Sequence, residues 1–346
     1  MKSIKKVTLR DLANHLGINT SSVSRALNPQ KKGMLRPELV AQVEKIAEEL
    51  GYEQNTMAYA LKTGRSMNIG VIIPDLMNPI YPPILKGIIN VLSQASYTPL
   101  IAYSENSKAT ALNEIKKMKM RQVDGFVLAC AFREDEAIEY CLANHLPTVT
   151  VGRSLDIHKL DQIVIDNEAG IKLAVRHLID LGHKNIAFAS GPLDISDGHQ
   201  RCEAFRKEIL VNGLTLDESL IVLGDEFTET SGINLGQQLI KQQKPFSAIV
   251  AGNDLLALGC IRALEISGLS CPADVSVIGF NNMPYLNLFK TPLTTIAIPR
   301  MLMGERAAEV ILNRLMDPEE PIKNIIVTPE LIERGSTSIA NQARHQ

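Results

Sequence analysis

No apolar run in this chain approaches the roughly 18 residues that a membrane span needs. The first residues, MKSIKKVTLRDL, are basic with no apolar stretch behind them, which argues against a secretory signal. Cysteine is scarce. The five positions, Cys130, Cys141, Cys202, Cys260 and Cys271, are odd in number and scattered without a C-x-x-C pair. They read as free cytosolic thiols, mostly buried, and neither as a disulfide frame nor as a zinc site. Catalytic signatures are missing too: there is no G-x-G-x-x-G after a strand, no G-x-x-x-x-G-K-S/T, no H-E-x-x-H and no G-x-S-x-G. His177 and His183 stand on and just past a helix ending in LGH, where the dipole of a helix C-terminus favours histidine without any metal. The expectation is a cytoplasmic chain with no catalytic residues, no metal site, no cofactor and no membrane partner.

What is present is 346 residues, 45% hydrophobic and 21% charged, enough for two or three domains with their own cores. The net charge of −2 conceals an imbalance. Residues 1–65 carry 11 Lys/Arg against 6 Asp/Glu, a net of +5, so the remainder stands at −7. A small basic head on a larger acidic body fits a nucleic-acid-binding module joined to a domain that does not bind nucleic acid.

Within that head, TLRDLANHLGINTSSVSRALN (Thr8–Asn28) reads as two short helices around a tight turn. Thr8 is a good N-cap with Asp11 in the first turn. Leu9, Leu12, Ala13 and Leu16 recur at helical spacing, and Gly17 supplies a left-handed stop. Asn19 caps a second helix whose apolar face is Val23, Ala26 and Leu27, leaving Thr20, Ser21, Ser22 and Arg25 on the other side. A small residue at the crossing, a turn glycine and a polar face on the second helix are the requirements of a helix-turn-helix. A basic loop follows, then a third helix starting at Pro37 with Leu39, Val43, Ile46, Ala47 and Leu50 on one face and Gly51 as its stop. The segment NTMAYALKTG, from Asn55 to Gly64, spans barely two helical turns, too few to be stable alone in water. It suits a helix that forms only when a partner surface buries its apolar side.

From Ile69 onward short β-rich runs alternate with helical stretches: IGVII, TPLIAYS, GFVLA and PTVTV in a first cycle, then IVID, NIAFAS, LIVLG, SAIVA and VSVIG in a second. Nearly continuous apolar strands are those covered on both faces, so parallel sheets are expected. Two such units are more than one core holds. Open α/β sheets bind ligands beyond the carboxyl ends of their strands, and two facing lobes make a cleft that closes on a small molecule.

The blocks VTLRDLANHLGINTSSVSRALN, LGYEQNTMAYALKTGRSMNIGVIIPDLMNP, HLIDLGHKNIAF, NDLLALG and VSVIGFNN…PLTTI occur in one order along nearly the whole chain. In this the sequence resembles the lactose-repressor/galactose-repressor (LacI/GalR) family of bacterial transcription regulators. The resemblance implies a helix-turn-helix head at 1–53, a hinge helix and linker at 54–65, and a body at 66–340 like the periplasmic sugar-binding proteins. That body is expected as two Rossmann-like parallel-sheet lobes. The chain would cross three times between them, lobe one holding about 66–165 and 297–325 and lobe two about 166–296 and 326–340. The implied function is a homodimeric regulator, a repressor of carbohydrate genes, bound to a pseudo-palindromic double-stranded operator and controlled by a small effector. The other readings of the same body are a sugar-binding protein and a cytosolic sugar-processing enzyme.

Carried over residue by residue, Thr20 and Ser21 match the family's base-reading pair and Arg25 its arginine near the end of the contact surface. Arginine grips guanine with two hydrogen bonds, whereas Ser/Thr pairs with several bases. Thr8, Ser22, Asn28 and Asn55 complete the expected DNA-contacting set. Ala58 falls where the hinge helices touch, and Leu61 where the family wedges a leucine into the minor groove. Arg36, Pro37, Leu39 and Val40 depart from the family's usual start of the third helix. In the cleft the loops after strands offer Asn78, Tyr81, Arg201, Phe227, Asn253 and Asn281. Planar polar groups for vicinal hydroxyls and an aromatic ring for the C–H face suit a sugar. Arg201 matches the effector-holding arginine, Phe227 the stacking aromatic and Asn253 the asparagine of the N-D motif, with Asp254 as a helix cap. Asn281 and Asn282 stand where many members carry an aspartate. Losing that negative charge beside Arg201 suggests an effector bearing an anion, a sugar acid or sugar phosphate. The tail after Arg334 has no heptad pattern for a tetramerising helix, so a dimer is expected.

Overall fold

The computed structural model describes residues 7–27, 32–52, 64–156 and 159–341. Asn28, Asn55, Ala58 and Leu61 therefore lie outside the described residues. The chain divides into two compact units, Met1–Ser66 and Met67–Gln346.

The first unit holds three helices: α1 (Leu9–Leu16), α2 (Thr20–Ala26) and α3 (Pro37–Glu49). A capping box starts α1: the Thr8 amide donates to Asp11 Oδ2 at 2.8 Å, and the Asp11 amide donates back to Thr8 Oγ1 at 3.3 Å. Gly17 ends the helix at φ 65°, a left-handed conformation that costs an L side chain about 1 kcal/mol or more. Asn19 Oδ1 accepts from the Ser21 amide at 2.8 Å and caps α2. Leu12, Ala13, Val23, Ala26, Val43 and Ala47 are buried together, so three short amphipathic helices close one core. Leu50, expected on the apolar face of α3, is instead its C-cap and 37% exposed.

The second unit carries two six-stranded sheets. The first runs β11-β5-β4-β3-β1-β2, from β1 (Asn68–Ile73), β2 (Thr98–Tyr103), β3 (Gly125–Leu128), β4 (Thr148–Gly152), β5 (Asp161–Ile165) and β11 (Asn324–Val327), with every neighbour parallel. Alternate residues face opposite layers. Ile69, Val71 and Val127 pack under α4 (Tyr81–Gln94) and α11 (Arg300–Met316), whereas Ile72, Phe126 and Leu128 pack under α5 (Lys108–Met120) and α6 (Glu136–Ala143).

The second sheet runs β12-β10-β9-β8-β6-β7, from β6 (Ile186–Ser190), β7 (Ile221–Leu223), β8 (Ala248–Ala251), β9 (Ser276–Asn281), β10 (Thr294–Ala297) and β12 (Glu330–Ile332). Helices α7 (Asn167–Asp180) and α8 (Ser196–Val211) cover one face, α9 (Glu229–Lys241) and α10 (Asp254–Ile266) the other. This sheet departs from the all-parallel expectation: β12 is antiparallel to β10, because only two residues separate it from β11 and the chain returns along the sheet edge.

The chain passes between the sheets at Asp166, at Ile298–Pro299 and at Thr328–Pro329, so β10 stays in the second sheet to Ala297 and β11 in the first to Val327. After the second passage α11 lies so close to α4 that only glycine fits at the contact. A Cβ on Gly87 would meet the Met301 carbonyl oxygen at 2.2 Å, and one on Gly304 the Ile84 carbonyl oxygen at 2.0 Å. Those partners are backbone atoms and cannot swing aside. Gly87→Ala is therefore expected to lower stability by about 1–3 kcal/mol or more, read as a lower urea midpoint with an unchanged m-value.

Candidate functional site

On the head, α2 turns Thr20, Ser21 and Arg25 to solvent, half-buries Ser22, and buries Val23 and Ala26 on its opposite side. This gives an exposed helix face of hydroxyls with one guanidinium. Thr8, also exposed, has its hydroxyl engaged with Asp11 Oδ2 at 2.7 Å, so its first task is the cap.

In the second unit a cavity of about 570 Å³ opens at the carboxyl ends of strands from both sheets. The six residues expected there, Asn78, Tyr81, Arg201, Phe227, Asn253 and Asn281, all line it. Arg201 lies in the second turn of α8, not at its start, and is 1% exposed. Its Nε donates to Asn167 Oδ1 at 2.7 Å and its Nη1 to the Gly252 carbonyl at 2.6 Å, and the guanidinium lies 3.8 Å from the centre of the Phe280 ring. Asp197 Oδ2 is 3.6 Å from Nη2, an ion pair beyond hydrogen-bond reach, and Nη2 has no hydrogen-bond acceptor. Burial pulls the Arg201 pKa down, while Asp197 and Asp254 work against that. Arginine stays charged regardless.

Phe227 reaches the cavity because Gly191 has no side chain: a Cβ there would meet the ring at 2.2 Å. Asn253 has both amide ends occupied, Oδ1 accepting from the Leu256 amide as the α10 cap and Nδ2 donating to the Phe227 carbonyl at 3.3 Å. Asn78 Oδ1 accepts from the Ile80 amide at 3.1 Å. The Tyr81 phenol is pushed up to about 12, chiefly by burial. Asn281 sits at φ 108° with its Oδ1 buried and unpartnered. Backbone strain and an unpaired acceptor at one cavity position mark a place prepared for a donor. Asn282 does not line the cavity; its Oδ1 accepts from Arg334 Nη2 at 2.7 Å and its carbonyl from Arg300 Nη2 at 2.8 Å.

The sequence matches the periplasmic binding protein-like domain family over residues 175–337. Catabolite control protein A of Priestia megaterium is 30% identical over 333 residues, covering 96% of this chain and 99% of its own length. The ribose operon repressor of Escherichia coli strain K12 is also 30% identical over 333 residues, with 95% and 99% covered. The chain belongs to the LacI/GalR family. Among solved structures, the CelR–cellobiose complex aligns with a TM-score of 0.74 at 26% identity, over 96% of this chain and all of that one. The lac repressor dimer bound to operator and an anti-inducer aligns at 0.83 and 23% identity, again over 96% and 100%, which speaks to the fold.

In this LacI/GalR chain several cavity residues were not evident from the sequence. Arg153 follows β4 directly, Phe132 follows β3, and Asp75, Glu105, Asp194, Asp197, Asp225 and Glu226 add carboxylates. Arg153 obeys the same after-strand rule that found the others, applied to PTVTV. The histidines have structural partners. His177 Nε2 pairs with Thr337 Oγ1 at 3.0 Å, and His183 bridges Ser247 Oγ at 2.8 Å and the Ser338 carbonyl at 3.0 Å.

Asp254 proves to be something other than a helix cap, since Asn253 performs that task. It is fully buried, accepting from Thr295 Oγ1 and from the Met283 amide. Burial raises its pKa to about 7, although both hydrogen bonds and the charges of Arg300 and Arg334 oppose the shift. An unfolded aspartate titrates near ~3.9, so between these values the folded state holds a proton that the unfolded state has lost. The stability this carboxyl contributes is therefore fully present below the unfolded value, falls steadily as pH rises from there, and levels off above about 7. Urea midpoints at pH 5, 6, 7 and 8 are expected to show that decline as the difference between wild type and Asp254→Asn, whose profile lacks it.

Proposed function

We propose that this protein is a cytoplasmic repressor of carbohydrate genes whose operator affinity is set by a small sugar-like effector in the cleft. The single observation that carries this is one cavity, lined from the strand ends of both sheets, in a chain whose full-length relatives include a ribose operon repressor. A ligand of monosaccharide size fits about 570 Å³, and Phe227 with Tyr81 offers the apolar surface that a sugar C–H face needs. Arg201 Nη2 calls for an acceptor and Asn281 Oδ1 for a donor; a hydroxylated ligand supplies both.

On the head, Thr20, Ser21 and Arg25 meet base edges in the major groove, and Ser22 and Thr8 approach phosphates. Asn28, Asn55, Ala58 and Leu61 join this set on the family resemblance alone. The protein acts as a homodimer. Exposed apolar side chains away from the cavity support that, Tyr285 at 73% and Leu288 at 73% among them. It acts without catalysis, as its relatives do. That none of the described helices is long and apolar enough to cross a membrane is consistent with a DNA-bound role.

Arg25→Ala is expected to weaken operator binding by about 1–3 kcal/mol, or roughly 5- to 150-fold, without moving ligand-induced thermal shifts of the body. Gel shifts on operator fragments selected from random DNA by the wild-type chain measure the first effect, and thermal melts with a sugar panel measure the second. Loss of ligand response in Arg25→Ala would overturn the separation of head from body.

A further inference from the structure

Two arginines line the cavity, and they are not equivalent. Arg201 has Asp197 beside it. Arg153, at the end of β4 in the first sheet and 6% exposed, has no carboxylate oxygen within 4.0 Å among the described residues. Its Nη2 donates to Asn106 Oδ1 at 2.8 Å, its Nη1 donates to the Cys130 carbonyl at 3.3 Å, and its guanidinium carbon lies 5.6 Å from the centre of the Phe132 ring. These partners are neutral. Its titratable neighbours Tyr81 and Cys130 supply no charge either, because burial pushes both up to about 12. Among the described residues two of its five N–H donors make these bonds, and the Tyr81 phenol is the further polar side chain beside it, so donors remain for a ligand.

A guanidinium this deeply buried, without a counter-charge, costs several kcal/mol in general. The other charges of the cavity do not cancel it. Glu105, Asp194, Asp225 and Glu226 are exposed at the mouth, where salt screens them over about 8 Å; Asp75 is half-buried, but its Oδ1 accepts from the Met77 amide at 2.8 Å and neither of its oxygens lies within 4.0 Å of Arg153; and Asp197 is committed to Arg201. Magnitude decides between them: exposed rim carboxylates weigh little, and the buried cation weighs much.

We infer that Arg153 is the seat of an oxyanion, the carboxylate or phosphate of a sugar-derived effector whose hydroxyls meet Arg201 and Asn281. This rests on the cleft being the effector site and deepens that reading. It also moves the anion from Arg201, where the loss of an aspartate at 281 and 282 would put it, to the opposite lobe. A ligand so held spans both sheets, its charged end on β4 and its hydroxyls on α8 and β9.

Thermal melts and calorimetry on the full chain test this with matched probes: ribose against ribose 5-phosphate, and glucose against glucose 6-phosphate, gluconate and glucuronate. At least one acidic member is expected to raise the melting temperature while its neutral parent does not. Arg153→Gln should weaken that ligand by about a hundredfold, and Arg153→Lys should keep part of the affinity. Ligand-free Arg153→Gln should melt no lower than wild type, since removing an uncompensated buried charge relieves a cost. A neutral sugar binding more tightly than every acidic counterpart overturns the inference and leaves the proposed function standing. So does an acidic preference that persists in Arg153→Gln. A steep loss of ligand-free stability with unchanged preference marks a structural arginine and overturns it as well. If no probe of either kind binds while operator binding persists, the sugar reading of the cleft falls with it.

Discussion

The second lobe is organised around one buried charge. Arg201 joins Asn167 at the start of α7, the Gly252 carbonyl after β8, Asp197 one turn earlier on α8 and the Phe280 ring on β9. An isolated guanidinium inside a protein carries a large desolvation cost, and here two strong hydrogen bonds, a carboxylate and an aromatic face offset it. Each of those partners fixes a different element, so the arginine sets the floor of the cleft as well as contributing to it. Among the nitrogens of Arg201, Nη2 is the one without an acceptor, and the residue lines the cavity. Within a single side chain, then, two nitrogens are tied into the fold and the third is left unpaired.

Much of this was legible in the sequence because it is local. Thr8, Asp11, Gly17 and Asn19 state the helix boundaries of the head by capping chemistry that acts over three or four residues. Apolar runs such as IGVII and SAIVA state buried parallel strands by their lack of alternation. The six cleft residues follow from one rule, that ligands sit beyond strand carboxyl ends. What was not legible depends on distant parts of the chain. Arg153 counts only once β4 is known to lie inside the first sheet, between β3 and β5. The role of Asp254 depends on Thr295 and Met283, far along the chain, and the sequence offered only the nearer explanation of a helix cap. The antiparallel direction of β12 follows from a two-residue return that no strand pattern encodes.

The same distinction bears on Asn281 and Asn282. As sequence they are one feature, a pair of amides in place of an aspartate. In the structure they part company. Asn281 keeps an unpaired oxygen at the cavity, whereas Asn282 is held by Arg300 and Arg334. Arg300 begins α11, just after the passage at Ile298–Pro299, so the second amide belongs to the joint between lobes and the first to the cavity.

That joint is the remaining constraint. Three connections of one or two residues link the sheets, and α11 is locked onto α4 by contacts that only glycine allows. The α4–α11 contact leaves that pair of first-lobe helices no room to slide, and the short connections leave the angle between the two sheets as the degree of freedom a cavity ligand would act on. A molecule in the cavity touches strand ends of both sheets at once, so its contacts differ between open and closed forms, and that difference is the only currency with which binding shifts such an equilibrium. By linkage, any effect of the effector on operator affinity is matched by an equal effect of operator on effector affinity. A buried cation in the first lobe and a partly satisfied one in the second give closure its electrostatic sense. An oxyanion on Arg153 and a hydroxyl on Arg201 would be held by one molecule across both sheets, so its binding is coupled to the angle between them.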